Sequence, residues 1–159
     1  VTGTPEQRSK AESITVASHY VDSHDVQRLR VDDTGFCNEG RIWQKGLPYQ
    51  VPLRALLPRP EQATNLVVPG AASFSHVAFN TYRLESTWMT TGHAAAVVAV
   101  LAGEAAKPLQ DVDPGMVQQR LLEQGQVIGF DQTRPFPKAW VDRQADPEDR
   151  RFAYHWEHD

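Results

Sequence analysis

The chain has 159 residues, 40% of them hydrophobic, with 11 prolines and 10 glycines, enough for one loop-rich domain with a core. A net charge of −4 argues against a nucleic-acid or anionic-membrane partner. The single cysteine, Cys37, excludes an intrachain disulfide and a cysteine-based zinc site, and the longest apolar run, Ala94 to Ala102, has nine residues against the roughly 20 that cross a bilayer.

Residues 1–12 are polar and read as a flexible lead-in. A start at Val1 reads as a processed product or a piece of a longer chain. From Ser13 to Leu29 apolar residues alternate (Ile14, Val16, Tyr20, Val26) as in strands with one wet face. Asp32-Asp33-Thr34-Gly35 predicts a turn, Phe36 to Trp43 another strand, and Lys45-Gly46 another turn. Tyr49 to Leu57 alternates but holds Pro52, so a strand there lies at an edge or is interrupted, and Pro58 and Pro60 close it.

After Pro60 the character changes. Leu66-Val67-Val68 is a short continuous apolar run, as in a strand buried on both faces, and it ends at Pro69-Gly70. A polar loop follows, and a helix begins at Glu85 or Ser86, with Ser86 or Thr87 as N-cap candidates. Gly92, Ala94, Ala95, Ala96, Ala99 and Ala102 leave that helix little bulk, so it can lie close to a sheet. Asp113-Pro114 is an N-cap followed by proline at the first helical position, Gly125 sits just past the last turn, and Val117, Leu121 and Leu122 form the buried stripe between them. Beyond Gly129 the prolines preclude long elements. Phe130, Phe136, Trp140, Phe152, Tyr154 and Trp156 predict a tail (129–159) that packs on a surface.

A strand that ends at a ligand, with a helix N-terminus pointed back at it, is a nucleotide-binding arrangement. The chain has one such unit and no G-x-G-x-x-G, so the nucleotide must be held mostly by something else. A single buried strand also needs neighbours to hydrogen-bond with, so the chain lacks the rest of its own sheet.

Seven segments occur in a consistent order: Asp22–Arg28 (DSHDVQR), Asn38–Gly40 (NEG), Pro48–Pro52 (PYQVP), Arg54–Pro58 (RALLP), Asn65–Pro69 (NLVVP), Ser75–Phe79 (SHVAF) and Arg83–Glu85 (RLE). Together, over about Tyr20 to Ile128, they resemble the C-terminal part of a bacterial FAD-dependent oxidoreductase family with a glutathione-reductase-like flavin fold. The resemblance implies that Asn65–Gly70 is the last strand of the flavin domain. It implies that the loop after it (Gly70, Ala71, Ala72, Ser75) nears the pyrophosphate and ribityl chain. It also implies that the next helix turns its first residues (Glu85, Ser86, Thr87, Trp88, Met89) to the flavin pyrimidine. Backbone N–H groups and the positive helix end would there stabilise negative charge on reduced flavin. The sequence departs from the family at Asn80-Thr81-Tyr82, where members carry a glycine-led triplet, at Ser86, where they carry proline, and at Gly70-Ala71, where bulkier residues are common.

Three residues are candidates for chemistry. His76 is the first choice for acid–base work beside the flavin, the plainer alternative being a histidine that ties its loop together. His24 lies between Asp22 and Asp25, which would tune or orient its ring; the alternative is a solvated strand end. Arg54 would clamp a polar substrate or else form an edge salt bridge. Arg83 and Glu85 border the flavin or pair locally. Cys37 reads as an inert thiol, His93 as a packing residue, and His155 and His158 as surface residues.

The reading is therefore an α/β chain (α+β when taken alone): the C-terminal part of an FAD-binding Rossmann-like domain at 59–128, and part of an antiparallel β substrate domain at 13–58. Its expected function is hydride transfer from a substrate C–H, such as a sugar or polyol alcohol, to FAD. The expected partner is a second chain carrying the dinucleotide-binding fingerprint, giving a hetero-oligomer. The alternative is a non-catalytic module that stabilises a partner chain.

Overall fold

The computed structural model describes residues 4–33, 35–44 and 46–131. In chain order its elements are α1 (Pro5–Arg8), β1 (Ser13–Ala17), β2 (Val21–Ser23), β3 (Gln27–Arg30), β4 (Phe36–Glu39), β5 (Ile42–Gln44), β6 (Tyr49–Pro52), α2 (His76–Tyr82), α3 (Glu85–Ala105) and α4 (Pro114–Glu123), with short 3-10 turns at Leu53–Leu56 and Leu109–Asp111. Helices thus mix with small strand pairs: β1 with β6, β2 with β5 and β3 with β4. The described residues divide into two units, one within 4–23 and 43–130, the other within 24–42 and 131. Among the described residues no helix is long and apolar enough to cross a membrane.

In the first unit β1 runs antiparallel to β6, with Val16 opposite Gln50 and Ala17 opposite Tyr49. The core gathers Ile14, Val51, Leu56, Val98, Leu101, Val117 and Leu121. α3 packs on β1 and on α4. Buried Ala94, Ala95 and Ala102 keep its inner face thin, as the sequence predicts. The Thr15 hydroxyl donates to Thr90 Oγ1 at 2.9 Å, fixing the strand to the helix. β1 and β6, expected in a separate substrate domain, share this core with α3 and α4.

α4 follows its sequence signals. Asp113 caps it by accepting from the Gly115 N–H at 2.9 Å. At its end Gly125 takes φ +80. The Gln126 N–H then reaches Leu121 O and the Gly125 N–H reaches Leu122 O, both at 2.9 Å, the two bonds of a Schellman closure. Leu122 is 58% exposed and does not join the stripe: it stands about 100° round the helix from Leu121.

Other expectations are corrected. Asn65–Val68 forms no strand; Leu66 is exposed, Val67 packs against the core, and the Val68 N–H donates to Leu56 O at 2.8 Å. Among the described residues no strand lies alongside it, and a ladder needs two. The polar loop contains α2, capped by Ser75, whose Oγ accepts from the Ala78 N–H at 3.3 Å. α3 begins behind Leu84, which supplies no side-chain cap, so neither Ser86 nor Thr87 is its N-cap. The lead-in carries α1, closed by a Thr4–Gln7 capping box, and buried Arg8 donates from Nη1 to Pro48 O at 2.8 Å. The strand expected over 36–43 is broken between β4 and β5, where Gly40 has φ +84, whereas the interruption expected in Tyr49–Leu57 is found: β6 ends at Pro52 and a 3-10 turn begins at Leu53.

The second unit holds the β3–β4 hairpin, with Gln27 opposite Glu39 and Arg30 opposite Phe36. Two of its four pairs, Gln27–Glu39 and Arg28–Asn38, are polar: Arg28 Nε donates to Asn38 Oδ1 at 3.0 Å, and its guanidinium lies 5.8 Å from the Phe36 ring centre. Of the aromatic tail expected over 129–159, residues 132–159 lie outside the described residues.

Candidate functional site

A cleft of about 690 Å³ opens in the first unit where α3 begins, between β1 and the residues after α4. Ser86, Thr90 and His93 line one wall. Their i, i+4, i+7 spacing puts them on one face of the helix. Thr15, Val16 and His19 line another, and Gln124 to Val127 close the third. No carboxylate is among the lining residues. α3 enters this cleft with a first turn that lacks a side-chain cap. The Thr87 and Trp88 N–H groups bond back to Leu84 O, so the first-turn N–H groups that Leu84 does not engage are those of Glu85 and Ser86. Hydroxyls, an imidazole and amides around a positive helix end suit a polar, electron-rich group.

The triplet Asn80-Thr81-Tyr82 is buried and structural. Asn80 Nδ2 donates to His76 O at 2.7 Å. Thr81 Oγ1 bonds the Tyr49 hydroxyl at 2.9 Å. The Tyr82 hydroxyl reaches Pro69 O and, at 3.2 Å, Thr91 Oγ1. Tyr82 therefore ties the Pro69-Gly70 turn to α3. Burial pushes both tyrosine hydroxyls up in pKa, Tyr49 to about 12.

The expected site residues do not all meet. Ser86 and Thr87 line the α3 cleft. Glu85 is the first residue of α3 and exposed; Trp88 and Met89 are 37% and 75% exposed. Ser75 and Arg54 share a second hollow of about 450 Å³ with Tyr49, Ser73 and Phe74. Arg54 is ion-paired there with Glu12. Gly70 and Ala71 sit in the turn after Pro69, whereas Ala72 belongs to the core. A Cβ on Gly70 would meet nothing within 4 Å, so the backbone is open to close approach at this point.

His76 opens α2 and is exposed, not held in a loop. Its Nε2 is hydrogen-bonded to Ser23 Oγ at 2.7 Å, and Ser23 is fully buried. Arg83 donates to Asp22 O at 3.1 Å and pairs with the Asp22 carboxylate, so its partner is Asp22 and not Glu85. His24 belongs to the second unit and is exposed. Cys37 lies in β4 with Sγ 3.6 Å from Asn38 O.

Sequence reasoning missed His93. It is more than a packing residue: Nδ1 stands 2.6 Å from Gln126 Oε1 and Nε2 2.6 Å from Gln124 Oε1. Its spacing from Ser86 is the signal that finds it. Among the described residues no group of three or more metal-ligating side chains occurs.

A family model described as FAD dependent oxidoreductase matches residues 4–121. No curated protein and no solved structure matches the chain.

Proposed function

This chain belongs to the family of FAD dependent oxidoreductases, with FAD as its cofactor, and from that premise we propose that it is the C-terminal portion, or a separate subunit, of such an enzyme, with the ring end of FAD received at the start of α3. The observation that carries this is the carboxylate-free cleft beside the helix end without a side-chain cap. The residues present fit one end of the cofactor: the Glu85 and Ser86 N–H groups of α3 with the Ser86, Thr87 and Thr90 hydroxyls for the ring, and the open backbone at Gly70, next to Ala71, for the chain leading away from it. They do not supply the adenosine end, because the chain has no G-x-G-x-x-G. That fingerprint belongs to a second chain or a preceding segment, which also completes the Rossmann-like domain.

When bound, FAD supplies the hydride acceptor for oxidation of a substrate C–H, a sugar or polyol alcohol by chemical class. His76 is the residue to take the alcohol proton. With Nε2–H donated to Ser23 Oγ, Nδ1 carries the lone pair that takes the proton. His24 is the second choice, and Arg54 positions substrate from the hollow it shares with Ser75.

Ser86→Glu tests the cofactor assignment. The residue is exposed in the first turn of α3, where a carboxylate favours the helix. Folding should be unchanged, while FAD affinity falls about tenfold through repulsion and lost hydrogen bonding. Unchanged affinity in the native assembly would remove the cleft from the cofactor's path. A colourless protein that stabilises its partner without binding FAD would favour the non-catalytic module.

A further inference from the structure

We propose that His93 is locked by Gln126 as its Nδ1–H tautomer and presents Nε2 to the α3 cleft as the hydrogen-bond acceptor for an N–H or O–H of the bound ligand. This rests on the reading of the cleft as the place where the ring end of FAD is received.

The argument starts at Gln126, which is 9% exposed. Its Nε2 donates to Ile14 O at 2.7 Å and to Thr90 O at 3.1 Å. Backbone carbonyls only accept, so both amide protons are assigned and the amide has one orientation. Its Oε1 then faces His93 Nδ1 at 2.6 Å. An amide oxygen only accepts as well, so the proton of that bond sits on Nδ1, and the lone pair of the neutral ring is on Nε2.

The second nitrogen has a different kind of partner. Nε2 lies 2.6 Å from the side-chain amide of Gln124, which is exposed. A half-turn of that amide sets its N–H against Nε2, and a ligand N–H or O–H can take its place. One ring nitrogen is thus held by a buried amide anchored at two carbonyls, and the other meets a partner that solvent or ligand can displace. That asymmetry orients a ligand-binding imidazole. A ring that only tied α3 to the segment after α4 would need no such difference. The Schellman closure at Gly125 sets the pair in place by reversing the chain between Gln124 and Gln126.

Two measurements test the assignment. Histidine ¹⁵N spectra of the ligand-free protein should show His93 protonated at Nδ1; protonation at Nε2 in the neutral ring overturns the proposal. In the native assembly, FAD affinity is then measured by fluorescence for wild type, His93→Asn and Gln124→Ala. Asparagine keeps an N–H toward Gln126 and has nothing at the Nε2 position, so thermal stability should stay close to wild type while FAD binds about tenfold more weakly, the loss of one hydrogen bond. Gln124→Ala removes only the exchangeable partner and should bind FAD at least as tightly as wild type. Wild-type uptake of FAD with unchanged affinity in His93→Asn overturns this proposal alone. A wild-type assembly that takes up no FAD overturns the reading of the cleft and this proposal with it.

Discussion

His76 shows what a residue's neighbours decide. Its partner Ser23 stands 53 positions away in sequence, so the bond that orients the ring is invisible to local reading. Ser23→Ala removes a buried partner of an exposed ring and should cost about 0.5–1.5 kcal/mol in urea unfolding. His76→Gln should slow flavin reduction and flatten its pH profile; an unchanged rate and profile would remove His76 from the mechanism. Tyr49 gives a pH signature for folding. Burial holds its hydroxyl near 12 in the folded chain against 10.0 ordinarily. Below pH 10 both states keep the proton and the contribution is complete. As pH rises toward 12 the unfolded state loses its proton first, and stability should fall by about 1.4 kcal/mol per pH unit. Tyr49→Phe should reduce that slope in alkaline unfolding experiments, with buried Tyr82 accounting for part of the remainder.

At the scale of elements, the sequence is most legible where the determinants are local. Asp113, Pro114 and Gly125 mark both ends of α4 because caps and φ > 0 closures act within one turn. The alanines of α3 predict its close packing for the same reason. Asn65–Val68 is illegible by contrast, since a strand exists only with a neighbour, and α2 was hidden because its cap lies in a run that reads as polar loop. Two substitutions check the helices. Ala94 is fully buried against the core, so Ala94→Leu should destabilise by about 1–3 kcal/mol in thermal unfolding. Ala106 ends α3 at φ 50, a left-handed conformation that disfavours a Cβ. Ala106→Gly should raise stability by up to about 1 kcal/mol, the released strain exceeding the added chain entropy.

For the whole molecule, the family match spans residues 4–121. The chain holds helices and small strand pairs but, among its described residues, no broad parallel sheet, and it carries no dinucleotide fingerprint. In the account proposed above, a partner segment supplies both. The resemblance carried by the seven ordered segments made the cofactor class legible. The cleft was less so, because it is assembled from β1, α3 and the residues after α4, which are far apart in sequence. The visible absorption spectrum of the native assembly, isolated from its own cells with the content of each chain quantified, tests the central claim. The account predicts a yellow complex with one FAD for each copy of this chain and a partner bearing G-x-G-x-x-G; a colourless assembly that contains the chain and takes up no added FAD would contradict it.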